Sequence, residues 1–189
     1  MTTYAWRGTT TGSVEHLDLL PRDDRWRARS VVDLGPERVE YAVELDTGWG
    51  FRALRARSSS GRTLDLSRAG GGQDGAAQAE HPGPGWQADG VDRPDLDGAI
   101  DIDLAFSPFT NTLPIRRLEL VVGASAEIVT AYVTPELTVA PDPQRYTRLA
   151  DDRYLYESLD SDFRAEITVD ADGFVVDYPG LFVRLADRG

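Results

Sequence analysis

The chain contains no cysteine and no lysine, only two histidines and one methionine, and no long uninterrupted apolar run. Without cysteine there is no disulfide, no thiolate metal site and no thiol nucleophile, and the redox compartment leaves no mark. His16 and His81 are too few for a histidine-built centre, and neither an H-E-x-x-H helix nor a G-x-S-x-G elbow occurs. No stretch reaches the roughly 18 apolar residues of a membrane-spanning helix. The start, MTTYAWRGTT, lacks a basic region followed by an apolar run, so a soluble, cytoplasmic protein is expected. All 20 basic residues are arginine. A lysine-free chain reflects coding bias, which weakens any claim that one arginine was selected for bidentate chemistry.

Basic residues are also short in number: 20 against 32 acidic ones, a formal net charge of −12. That balance repels phosphate backbones and anionic bilayers, so neither nucleic acid nor integral membrane association is expected. The 189 residues suit one domain, 1–189, able to bury roughly 70% of its extended surface with no cofactor to hold it together.

What is present is a series of short alternating segments divided by turn signals, with no sustained helical period. Val14 to Leu20, Trp26 to Leu34 and Val39 to Leu45 read as strands. Asp46-Thr47-Gly48 turns the third into Trp49 to Arg57, and Thr63 to Ser67 follows. Residues 69 to 85 are crowded with Gly and Pro. Gly70, Gly72 and Gly75 there satisfy G-x-G-x-x-G, but no βαβ unit follows, so a cofactor loop is not expected. Trp86 to Asp89, Leu118 to Val122, Glu127 to Thr134, Leu137 to Val139, Tyr154 to Ser158, Arg164 to Val169, Phe174 to Asp177 and Leu181 to Leu185 continue the pattern, with Pro141 and Pro143 bracketing a turn. A dozen or more strands are too many for a flat sheet, so the sheet must curl or close.

The stretch from Asp97 to Leu118 departs from this rhythm. Its first half places Ile100, Ile102, Leu104 and Phe106 on one face of a strand and Asp101 and Asp103 on the other. Its second half, Ser107 to Arg117, reads as a stiff polar loop: Pro108 and Pro114 fix φ, and Thr110, Asn111 and Thr112 can bond the backbone locally. The run PFTNTLPIRRL, with IDIDL before it and Gly123 after it, resembles the signature of the bacterial putative glycolipid-binding family. Trp6, Glu15, Tyr41, the Asp46 and Trp49 turn, Gln144 with Tyr146, and Asp170, Gly173, Tyr178 and Pro179 extend the resemblance over nearly the whole chain. It implies an all-β, single-domain curled antiparallel β-roll, or half-barrel, akin to lipoprotein carrier folds, and binding of a glycolipid or similar amphiphile.

On that reading the expected ligand-binding residues are Trp6, Tyr41, Trp49, Asp101, Asn111, Arg116 and Tyr178, with no metal, no cofactor and no catalytic residue. An apolar concave face would bury acyl chains while an Arg and Asn rim fixed the headgroup. The bland alternatives are plain: a Trp or Tyr in a sheet is commonly core, Asn111 can close its own turn, and Asp101 can pair with Arg116 or Arg117. Two other classes stay open. A hydrolase of sugar or ester bonds would use Asp101, Asp103 or Glu15 and would show two carboxylates in one pocket. An interaction scaffold would fill the concave face with its own side chains.

Overall fold

The computed structural model describes residues 1–68 and 85–186; the G-x-G-x-x-G match and His81 lie outside the described residues. Fifteen strands follow one another: β1 (Thr2–Gly8), β2 (Val14–Arg22), β3 (Arg25–Asp33), β4 (Arg38–Asp46), β5 (Phe51–Ser58), β6 (Thr63–Arg68), β7 (Trp86–Ala88), β8 (Val91–Asp92), β9 (Ala99–Leu104), β10 (Ser125–Val133), β11 (Val139–Ala150), β12 (Arg153–Ser158), β13 (Arg164–Val169), β14 (Val175–Tyr178) and β15 (Phe182–Arg184). They form one sheet in the order β8 back to β1, then β15 back to β9. Every neighbouring pair is antiparallel except β9 with β10, which is parallel. The sheet is open, all-β and curled, as the strand count requires.

Period two decides the faces. In β4, Val39, Tyr41, Val43 and Leu45 are buried while Arg38, Glu40, Ala42 and Glu44 look outward. The inward residues of β1 to β7 form one large cluster with Trp6, Leu17, Leu54, Leu66 and Trp86. Those of β11 to β15 form a second, built on Tyr146, Tyr154, Tyr156, Ile167, Val175 and Tyr178. Strand β9 serves both sides of itself: Ile102 and Leu104 join the first cluster, while Asp101 and Asp103 point away from it. A bulge at Val129/Thr130 pairs Val129 with Ala99 and Thr130 with Asp101. Ile100 is therefore skipped, and Ala99 takes the core place expected for it.

The segment expected to be a loop is helical. Residues Pro108–Asn111 make a 3-10 turn that runs directly into α1 (Thr112–Leu118). Ser107 caps the turn, its Oγ accepting from the Phe109 N–H at 3.2 Å, and Pro108 holds the first helical position. Pro114 falls in the first turn of α1, where the missing N–H has no intrahelical partner to lose. Two prolines that suggested a loop thus fit two helix starts. Helix α1 ends at Glu119, whose left-handed φ of 46° turns the chain, so the strand expected over Leu118 to Val122 does not form.

The turn expected at Pro141 and Pro143 is also absent, because both residues lie inside β11. They pair with Ala131 and Val129 of β10. On the other side, β12 joins only from Gln144 onward. A proline is tolerated where one strand edge is still free.

Candidate functional site

Residues Ser107 to Leu118 fill the hollow between the two clusters. Phe109 and Leu113, both fully buried, pack into the first, and Ile115 and Leu118 into the second. Polar groups then tie the segment to both halves. Ser107 Oγ donates to Glu15 Oε1 at 2.9 Å, beside donations to the same oxygen from Tyr41 (2.6 Å) and Ser30 (2.7 Å). Thr110 donates to Asp103 at 3.2 Å, and Asn111 Nδ2 donates to the Tyr146 hydroxyl at 2.9 Å. Arg117 grips Asp101 at 2.6 Å.

Arg116 lies across the Trp49 ring, 4.3 Å from its centroid, and donates to the Asp172 carbonyl. On a helix the two arginines diverge by about 100° rather than the 180° of a strand, so both find protein partners. Gly173 allows this close approach: its φ is +79°, and a Cβ there would meet Ile115 and Arg116 at 3.2 and 3.3 Å.

The expected ligand residues are accordingly spread apart. Trp6 is fully buried and donates its indole N–H to the Val175 carbonyl at 2.8 Å. Tyr41, Asp101 and Asn111 are buried in the contacts just described, and Trp49 lies under Arg116. Arg116 borders a cleft of about 310 Å³ floored by Ile115, Tyr154 and Val169. Tyr41 meets Glu15, whose buried Oε2 has no partner, and Tyr178 stands beside a second cluster of groups with unused hydrogen-bonding capacity.

That cluster sits on the concave face of the C-terminal half and contains residues the sequence did not single out as a site. Gln144 Nε2 donates to Asp103 Oδ2 at 2.7 Å and to Asp142 Oδ2 at 2.6 Å, with Thr130 Oγ1 at 3.1 Å. Gln144 is fully buried, yet its Oε1 has no partner. The hydroxyls of Tyr132, Tyr156 and Tyr178 make no hydrogen bond among the described residues, and all three phenols titrate above their ordinary value, first through burial and then through Asp103 and Asp142. All three lie close enough to Asp103 and Asp142 to feel their charge. Burial pushes Asp103 up to about 6, against the opposing hydrogen bond from Gln144 and with the Asp142 charge adding to the rise. Asp142 is also raised, chiefly by burial. Aromatic rings wall the cluster: Tyr156 lies 6.1 Å from Tyr178, and the half-exposed Phe163 lies 5.9 and 6.4 Å from the two.

The pairing of Asp101 with Asp103 that the hydrolase alternative could have drawn on does not form. Arg117 claims Asp101, and the partner of Asp103 is Asp142, from a different strand. Glu15 stands apart in the N-terminal half, pushed up to about 7 by burial. No group of His, Asp and Glu among the described residues is arranged to hold a metal ion. No helix among them is long and apolar enough to cross a membrane.

Comparison with known proteins agrees with this architecture. The family described as Putative glycolipid-binding matches residues 3–184. A crystal structure of a DUF1089-family protein from Pseudomonas aeruginosa is similar at 37% identity, with 92% of each chain covered and a TM-score of 0.72. No curated protein matches the chain.

Proposed function

The chain belongs to the Putative glycolipid-binding family, and from that membership we propose that it is a non-catalytic binder of a glycolipid-like amphiphile. The sugar headgroup is held by Asp103, Asp142, Gln144, Tyr132, Tyr156 and Tyr178 on the concave face of the C-terminal half. The observation that carries this reading is Gln144, fully buried between two carboxylates with Oε1 unpartnered. A buried amide oxygen without a donor costs about 1 to 3 kcal/mol, which a ligand hydroxyl would recover. Carboxylates accept from sugar hydroxyls, and the three phenols supply donors. Two carboxylates also select against an anionic headgroup, so the sugar is neutral.

The hollow that was expected to take acyl chains is filled by Phe106, Phe109 and Leu113, the filling that the interaction-scaffold alternative called for, so an acyl chain has no room there. The apolar part of the ligand therefore leaves along Phe163, 42% exposed beside Tyr156 and Tyr178, and Leu159, 39% exposed. Calorimetric titration with octyl glucoside and a panel of neutral glycolipids tests the reading. Saturable binding that Asp103→Asn and Asp142→Asn both weaken supports it, and no binding by the wild type ends it.

One observation favours a second reading, hydrolysis of a glycosidic bond. Asp103 and Asp142 each lie within 2.7 Å of one amide nitrogen, which keeps their oxygens within about 5 Å, the spacing of retaining glycosidases. The raised Asp103 would serve as the acid. Release of free sugar in the same titrations, detected by mass spectrometry, would move the assignment to this reading.

A further inference from the structure

On the opposite face of the sheet, in the other half of the molecule, β2 to β5 carry a groove of about 580 Å³. Its lining includes His16, Asp18, Arg27, Arg29, Val31, Glu40, Ala42, Arg55 and Arg57, the outward residues of four neighbouring strands. Registry orders them into rows. His16, Val31, Glu40 and Arg57 lie side by side across the strands, and Asp18, Arg29, Ala42 and Arg55 form the next row. Small residues at the centre, Val31 and Ala42, leave the hollow between long charged ones.

The carboxylates of this face are already engaged. Asp18 accepts from Thr3 at 2.9 Å, Glu40 from Arg57 at 2.7 Å and Asp65 from Arg55 at 3.3 Å. Glu44, opposite Arg27 in register, is taken by Arg25 at 3.4 Å. Arg27 and Arg29 have no ion-pair or hydrogen-bond partner among the described residues, and Arg27 Nε is both buried and unsatisfied. Asp18 lies opposite Arg29 and Glu44 opposite Arg27 in register, yet neither guanidinium is in direct contact with a carboxylate of the described residues, in a chain of net charge −12. A buried donor with no acceptor costs free energy that an incoming acceptor recovers.

We infer that this groove binds a phosphate monoester attached to an organic body, its phosphoryl group held by Arg27 and Arg29. Two guanidiniums two residues apart on one strand present about 7 Å of cationic surface, which a dianion neutralises better than a monocarboxylate. The groove is far larger than a phosphate, so the ligand carries a further group. Val31, Ala42 and the aliphatic stems of the arginines give that group an apolar bed. The inference is independent of the sugar site, since the two sets of residues share no member and lie on opposite faces.

The experiment is a titration of the full chain with octyl phosphate, followed by calorimetry and by 31P NMR line width, with 1-octanol as the uncharged control. A parallel arm uses phosphatidylcholine vesicles with and without phosphatidate. Saturable binding of octyl phosphate identifies a soluble phosphomonoester as sufficient. Binding confined to phosphatidate vesicles identifies the same group displayed on a lipid surface. Arg27→Gln and Arg29→Gln should each weaken either mode about tenfold, while Arg153→Gln in the other half leaves it unchanged. Arg29 is exposed, so its variant keeps the test valid if Arg27→Gln perturbs folding. No saturation in either arm overturns the inference, as does undiminished affinity in the Arg27→Gln/Arg29→Gln double variant.

Discussion

The two halves of the sheet are built on the same alternation, yet they fill their inward positions differently. Strands β1 to β7 point Val, Leu, Phe and Trp into the hollow, relieved by one polar knot in which Ser30, Tyr41 and Ser107 all donate to Glu15 Oε1 and leave the buried Oε2 without a partner. Strands β11, β12 and β14 point Asp142, Gln144, Tyr146, Tyr154, Tyr156 and Tyr178 inward, and several of their polar atoms are left unused. The first half is a core that supplies stability. The second is a more polar inward face, and it is there that we place the proposed ligand. The segment from Ser107 to Leu118 separates them: Ser107 caps it, Phe109 and Leu113 anchor it in the core, Asn111 straps it to Tyr146 and Arg117 pairs with Asp101.

That contrast is broken most severely at Phe109. It is fully buried in the first cluster, and Phe109→Ala should destabilise the protein by about 3 to 5 kcal/mol, read as a lower urea midpoint. A loss below about 1 kcal/mol would mean the segment is not what fills the hollow.

The pH dependence is the next largest effect. Glu15 rises from an ordinary 4.5 to about 7, and Asp103 from 3.8 to about 6, both chiefly through burial. The folded protein therefore holds protons that the unfolded chain has released. Stability is fully present below about pH 4 and declines as pH climbs toward 7, by about 3 kcal/mol for Glu15. Glu15→Gln should remove its share of that slope in urea midpoints taken from pH 4.5 to 8. An unaltered slope would show that Glu15 does not carry it.

Asn111→Ala comes third. It strips the Tyr146 hydroxyl of its donor inside the second cluster and should cost about 1 to 2 kcal/mol. Calorimetric melting would detect it, and no change in melting temperature would refute the strap. The smallest effect belongs to Arg116→Ala, about 1 kcal/mol, from the lost ring contact with Trp49. Affinity for a neutral glycoside should stay unchanged in that variant. A large loss of affinity would return the headgroup to the Arg116 cleft.

Most strands were legible because each is punctuated: Val39 to Leu45 and Arg164 to Val169 alternate cleanly and end at Asp46-Thr47-Gly48 and Asp170-Ala171-Asp172-Gly173. The parallel pairing of β9 with β10 was not, because registry between segments over 20 residues apart leaves no periodic trace. Proline misled twice for one reason. Its missing N–H was taken to end regular structure, but Pro114 sits in a helix's first turn and Pro143 at a strand's free edge, where that N–H is not needed. The second error hid the candidate site. With Asp142 assigned to a turn, its carboxylate had no face, and its meeting with Asp103 across β10 is a consequence of sheet order alone. The Arg117 bond to Asp101, by contrast, was among the pairings the sequence offered.

The central claim is that the C-terminal half receives a neutral sugar through Gln144 and its two carboxylates. Side-chain amide and tyrosine ring resonances followed by NMR during titration with octyl glucoside test it most directly. The account predicts saturable shifts at Gln144, Tyr132, Tyr156 and Tyr178, lost in Asp103→Asn, with the rings of Trp6 and Phe51 undisturbed. Shifts confined to the N-terminal half, or none at saturating ligand, would contradict it.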